Sequence, residues 1–247
     1  MKTLEEIFEW SKEDWLKNKE TLQETVDLAQ ECVAHKIARK RLVNRVPKEL
    51  WTKEVLGKKN GLSECVLYTI VEQGQLKEIN PDALDIDLLL STVAVGEAVI
   101  HAIARSEDIG LVKGDLLIPE IVCKTNKVQE TPLHIAVKNN TLQYIKLKDE
   151  NCVECFLKEN SKGVSVIEEA VRAGLEKDLR VGNWPLTEIL YHRNELDKIC
   201  GRCEANAVRT KLEDIKQKKK LKKENKSFEK VIELDDFREK LKKIFRK

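Results

Sequence analysis

The stretch Thr131–Ala136 reads TPLHIA, and 33 residues upstream Ala98–Ile103 reads AVIHAI, which keeps the histidine and the apolar positions around it. Two further steps of 33 bring Tyr68 and then His35 into the same column, giving His35, Tyr68, His101 and His134. Downstream the step lengthens to 34, where Glu168 and Ala170 take the histidine and alanine columns of GVSVIEEAVRAG. Three apolar columns keep this register: Ala34, Leu67, Ile100, Leu133, Ile167; then Ile37, Ile70, Ile103, Ala136, Ala170; then Leu42, Leu76, Ile109, Leu142, Leu175. Shared register over about five units points to stacked copies of one supersecondary unit, each burying its apolar face against its neighbours.

The residues suit that unit. Thr131 can cap a helix, Pro132 sits at the first helical position, where a missing N–H costs nothing, and Leu133, Ala136 and Val137 point inward at helical spacing. A second short helix is expected after it, carrying Leu142 and Ile145 in one unit and Leu76 and Ile79 in another, followed by a loop.

On these residues the chain resembles the ankyrin repeat family over roughly residues 25–182, with Thr131–Ala136 as the strong match. Its loops resemble a long-linker bacterial or phage variety. Val46-Pro47-Lys48-Glu49-Leu50 fits that pattern, Ile79-Asn80-Pro81-Asp82-Ala83-Leu84 fits with one extra residue, and Gly114 replaces the proline in the next unit. The resemblance implies an all-α, ankyrin-type helical solenoid that binds a protein partner through its concave face and loop tips. It also implies that the recurring histidine ties adjacent loops together. Such a fold carries no chemistry of its own. The expected contacts are Arg105, Lys138, Asn139 and Arg172 on first helices and loops, with Trp51 and Trp184 added because interface hot spots favour aromatic residues.

Around the array the sequence divides into an N-terminal capping helix over 1–24, the repeats over 25–182, C-terminal capping helices over 183–210, and a Lys-rich linker with an amphipathic helix over 211–247. Residues 3–19 and 21–39 read as helices, the first with Leu4, Ile7, Phe8, Trp15 and Leu16 on one face and Trp10 as a lid residue. A further helix is expected to begin at Asn183-Trp184-Pro185-Leu186. Residues 211–247 hold 15 Lys and Arg against 8 Asp and Glu in a chain whose net charge is only +2. The run KQKKKLKKENK, Lys216–Lys226, is a solvated tether, a nucleic-acid contact through Lys218, Lys219, Lys220, Lys222 and Lys223, or an anionic-membrane contact. Val231, Leu234, Phe237, Leu241 and Ile244 share one helical face, which suits self-association through 228–247 or assembly into a larger particle.

Aromatic residues are 5% of a chain that is 41% hydrophobic, which favours thin layered cores of small aliphatic side chains. The absence of a long apolar run excludes a membrane span, and the acidic start MKTLEEIFEWSKEDW is unlike a signal peptide, so a cytoplasmic location is expected. Seven cysteines without a secretory signal then read as reduced thiols. Cys152 and Cys155 with Cys200 and Cys203 form two CxxC pairs that could hold zinc, but 44 residues separate the pairs and Cys155 falls in an apolar column with Val122 and Leu89. No GxxxxGK[ST], GxGxxG, GxSxG or HExxH occurs, and the histidines recur once per unit, so neither an enzyme nor a cofactor is expected.

Overall fold

Short α-helices and 3-10 turns build most of the computed structural model, which describes residues 3–175, 177–186 and 217. The chain divides into two compact units, Met1–Arg193 and Asn194–Lys247. Of the second, only Gln217 is described, helical and exposed.

The N-terminal segment is two helices, α1 (Leu4–Phe8) and α2 (Lys12–Lys17), where the pattern suggested one. The break lies at Ser11, whose hydroxyl accepts from the Asp14 N–H while its own N–H donates to the Asp14 carboxylate at 3.1 Å. That reciprocal cap restarts the helix. Ile7 and Trp15 are buried, Trp10 packs edge-on against Trp15 at 4.8 Å, and Leu16 is 48% exposed rather than inside.

The expected helix over 21–39 is also interrupted. After the 3-10 segment Lys19–Gln23, the Asp27 carboxylate accepts the Glu31 N–H at 2.9 Å, and Gln30 adopts a left-handed φ of 57°. An acidic side chain that takes backbone donors in this way favours a turn over a helix. Helices then follow as α3 (Val33–Arg39), α4 (Lys53–Gly57), α5 (Val66–Glu72), α6 (Ile86–Leu90), α7 (Val99–Ile103), α8 (Pro119–Val122), α9 (Pro132–Lys138) and α10 (Val166–Ala173).

These elements pair in two series. α3 packs on α5, α5 on α7, α7 on α9 and α9 on α10, while α4 meets α6 and α6 meets α8. In the unit that contains α9, the 3-10 segment Glu150–Leu157 stands where the others have α4, α6 and α8, and it packs on α8 and α10. Between the two rows, the expected second helix is a single 3-10 turn: Val43–Arg45, Leu76–Glu78 and Leu142–Tyr144, with a longer Glu107–Leu111. The turn after the Pro47 position also recurs, as Lys48–Leu50, Pro81–Ala83 and Gly114–Leu116. Gly114 stands there because a Cβ would lie 2.6 Å from the Lys146 carbonyl oxygen.

The first two apolar columns are buried throughout. The third needs a correction at each end. Val43, 33 residues before Leu76, is the buried residue of the first unit, while Leu42 and Leu175 are half-exposed. At the far end, Trp184–Pro185 is a strand (β2) paired antiparallel with Arg180–Val181 (β1), and not the start of a helix. Gly182, at φ 59°, makes the tight turn between them, and its N–H donates to the Leu147 carbonyl. Helical geometry resumes at Leu186. Among the described residues no helix is long and apolar enough to cross a membrane.

Candidate functional site

The histidine column is scaffold. In each of three units the ring nitrogen Nδ1 accepts the backbone N–H that opens its own helix, from Cys32 to His35 at 3.3 Å, Ala98 to His101 at 3.2 Å and Thr131 to His134 at 3.2 Å. With Nδ1 accepting, the proton lies on Nε2, which donates to a carbonyl of the following loop: Glu64 at 3.1 Å, Lys124 at 3.0 Å and Val164 at 3.1 Å. Both nitrogens are thus committed, all three rings are buried, and burial pushes each imidazole below its ordinary pKa. In the other two units Tyr68 and Glu168 take the histidine's place, and the Glu168 contact stays within its own helix. Tyr68 donates its hydroxyl to Glu97 at 3.3 Å, with burial and then the neighbouring Glu72 and Glu97 pushing its phenol up to about 12. Glu168 receives Arg172.

The basic side chains expected to face a partner are held by acids of the same array. One column reads Arg39, Glu72, Arg105, Lys138 and Arg172, and a second, in the turn before each helix, reads Glu31, Glu64, Glu97 and Glu130. Arg39 bonds Glu31 at 2.6 Å and Glu64 at 3.0 Å, so it bridges two units; Arg105 bonds Glu97 and reaches back to Glu72 at 2.8 Å. Lys138 pairs with Glu130 and lies 4.0 Å from Glu169, and Arg172 pairs with Glu168. Burial works to raise the Glu31 carboxyl, but hydrogen bonds from Lys36 and Arg39 outweigh it and hold it below the usual carboxylate range. Burial also raises the Glu169 carboxyl. Asn139 is exposed, and its amide donates to the Ile135 carbonyl at 2.8 Å. The ladder therefore joins units, and Arg105, Lys138 and Arg172 present half-exposed charges already matched within the chain.

Trp51 is only 1% exposed, so it is a core residue and offers no surface to a partner. Trp184 lies in β2. Lys218, Lys219, Lys220, Lys222 and Lys223, the apolar face over 228–247, His192, Cys200 and Cys203 all lie outside the described residues.

A surface feature that the sequence reading missed stands at the turn tips. Each turn closes on a residue with left-handed φ: Gln30, Ser63, Gly96, Gln129 and Gly163. In three of them an asparagine carbonyl, from Asn60, Asn126 or Asn160, accepts two backbone N–H groups and shapes the turn. Neighbouring tips are tied directly, with Gly61 N–H to the Ala29 carbonyl at 2.7 Å, Ala94 to Leu62 at 3.4 Å and Ser161 to Val128 at 3.2 Å. A Cβ at Gly61 would sit 3.0 Å from the Ala29 oxygen, a tight contact, although Ala94 and Ser161 make the equivalent bonds with one. The tips carry large apolar side chains in the open: Leu28 fully exposed, Leu62 60%, Val95 64% and Val128 51%. The tip triplets Leu28–Gln30, Gly61–Ser63, Ala94–Gly96 and Lys127–Gln129 contain one charged residue, Lys127, in a chain that is 36% charged. Applying the 33-residue step to turns, and not only to helices, would have found Leu62, Val95 and Val128.

The cysteines depart most from expectation. Cys123 and Cys155 form a disulfide with Cα atoms 5.1 Å apart, where reduced thiols were expected. Two side chains one residue out of register on consecutive units meet there, because Cys155 stands in the column of Val122, the neighbour of Cys123. The bridge uses the Cys155 sulfur and so removes it from any zinc set. Cys152 is buried, its thiol donates to the Leu117 carbonyl at 3.3 Å, and burial pushes it up to about 12. Among the described residues no group of three or more His, Cys, Asp or Glu side chains could hold a metal ion. Compared with protein-family models and with curated proteins, the chain matches none.

Proposed function

We propose that this chain is a protein-interaction module, an adaptor or inhibitor built as an ankyrin-type solenoid, and that it contacts its partner through the row of turn tips. The exposed apolar tips of four consecutive units, with Lys127 as their one charged residue, carry this reading. Interface cores are depleted of charge, and contiguous apolar surface that folding leaves in water marks a place where another molecule sits. Arg105 and Lys138 pair with Glu97 and Glu130, which directly follow two of the tips, and with Asn139 and Arg172 they form the proposed polar rim, where charges steer association more than they hold it. A second reading, contact with nucleic acid, rests on the seven lysines of Lys216–Lys226 and requires binding that weakens steeply with salt.

The test is affinity capture from the native cell followed by binding measurements on the purified partner. The combined variant Leu62→Ser, Val95→Ser, Val128→Ser is expected to bind at least about tenfold more weakly than the parent, since each truncation removes buried apolar contact. An unchanged affinity would reject the tips as the binding surface.

A further inference from the structure

Beyond partner binding, we propose that the Cys123–Cys155 disulfide is a reversible redox staple that holds the segment Glu150–Leu157 onto α8. The two sulfurs are unequal: Cys155 is buried, whereas Cys123 is half-exposed at the end of α8, so a reductant can reach one end of the bridge. Cys32, Cys65 and Cys152 are buried free thiols, and burial pushes each of them up, which keeps them from entering exchange as thiolates.

The stapled segment is also the irregular member of its row. Three units close on regular α-helix at α4, α6 and α8, while this one closes on eight residues of 3-10 geometry, beyond the three or four such residues that are common. Poorer hydrogen-bond geometry leaves this segment more dependent on its cross-link. The bridge spans 32 residues, about one whole unit, so cutting it frees a large loop. If the chain works in a reducing compartment, such a bridge forms only under oxidation, the usual behaviour of disulfides there.

The exchange balances with a dithiol as reductant. Its thiolate attacks Sγ of Cys123, the S–S bond breaks, and Cys155 leaves as a thiolate that takes up a proton. The second thiol of the reductant then attacks the mixed disulfide and releases Cys123. Two electrons and two protons pass to the protein, and the reductant becomes a disulfide.

The full chain, equilibrated in glutathione buffers from oxidising to reducing, is acid-quenched, alkylated and peptide-mapped at all seven cysteines, with hydrogen exchange followed in parallel. The expected result is a Cys123–Cys155 cross-link that appears and disappears within that range. Exchange over 150–157 should quicken by about tenfold or more on reduction, while 66–72 is unaffected. The Cys123→Ser variant should exchange fast in every buffer; if it fails to fold, the oxidised and reduced parent proteins still decide. Pairing between other cysteines, free thiols throughout the range, or equal exchange over 150–157 in both states would each overturn the proposal.

Discussion

The inward columns and the turn tips follow the same 33-residue step, yet they place opposite chemistry where solvent makes it costly. Inside, polar residues recur: three buried histidines whose two nitrogens are both bonded, one to their own helix and one to the next loop. Outside, apolar residues recur at the tips, where Leu62, Val95 and Val128 stand half or more exposed. A buried polar group is tolerated once its hydrogen bonds are met, so the histidine column is explained by the fold alone. The exposed aliphatic column is not explained by the fold, because no tip side chain contributes to the core. Recurrence by itself thus separates nothing; recurrence against the local solvent environment separates scaffold from candidate surface.

Truncating one residue of each kind gives the sharpest break in this comparison. Leu67→Ala, at a fully buried position, is expected to lower unfolding free energy by about 3 kcal/mol, from lost transfer energy and the cavity left behind. Denaturant unfolding measures it, and a loss under about 1 kcal/mol would show that the first-helix column is not core. His134→Ala comes next, at about 2–3 kcal/mol, since it strands the Thr131 N–H and the Val164 carbonyl. Stability equal to the parent would mean that the inter-unit tie carries little.

Protonation tests all three histidines together. Burial depresses their folded pKa below the value near 6.5 that the unfolded chain has, so the unfolded state binds more protons between the two values. Stability is therefore fully present above the unfolded value and falls as pH drops below it, by up to about 1.4 kcal/mol per histidine for each pH unit. Thermal unfolding from pH 7.5 to 5 should show this loss, with a smaller slope in a variant lacking one histidine. The smallest effect belongs to the tips: Leu62→Ala should change stability by no more than about 0.5 kcal/mol. A loss near that of Leu67→Ala would mean that the tip is packed and would remove it from the candidate surface.

The period made the inner columns readable, because helix faces with buried aliphatics leave a signal at fixed spacing. Where two aliphatic residues stand side by side, the reading slipped by a residue, as at Leu42 for Val43, although the step from Val43 to Leu76 is still 33. Asp27 and Ser11 broke two expected helices through side-chain bonds to backbone that local apolar patterning does not register. Arg105 and Lys138 looked like free surface charges because their acids stand eight residues earlier, brought close only by the turn between. The Cys123–Cys155 bridge joins neighbouring columns of successive units, a relation that becomes visible only once the units are stacked. Trp51 was chosen for its residue type, and the core claimed it.

The claim that the tips are where a partner sits is tested most directly by hydrogen exchange on the captured complex. Protection on binding should concentrate in residues 61–63, 94–96 and 127–129 and leave the histidine-bearing helices as they were in the free protein. Protection confined to 211–247, with the tips exchanging as freely as before, would contradict it.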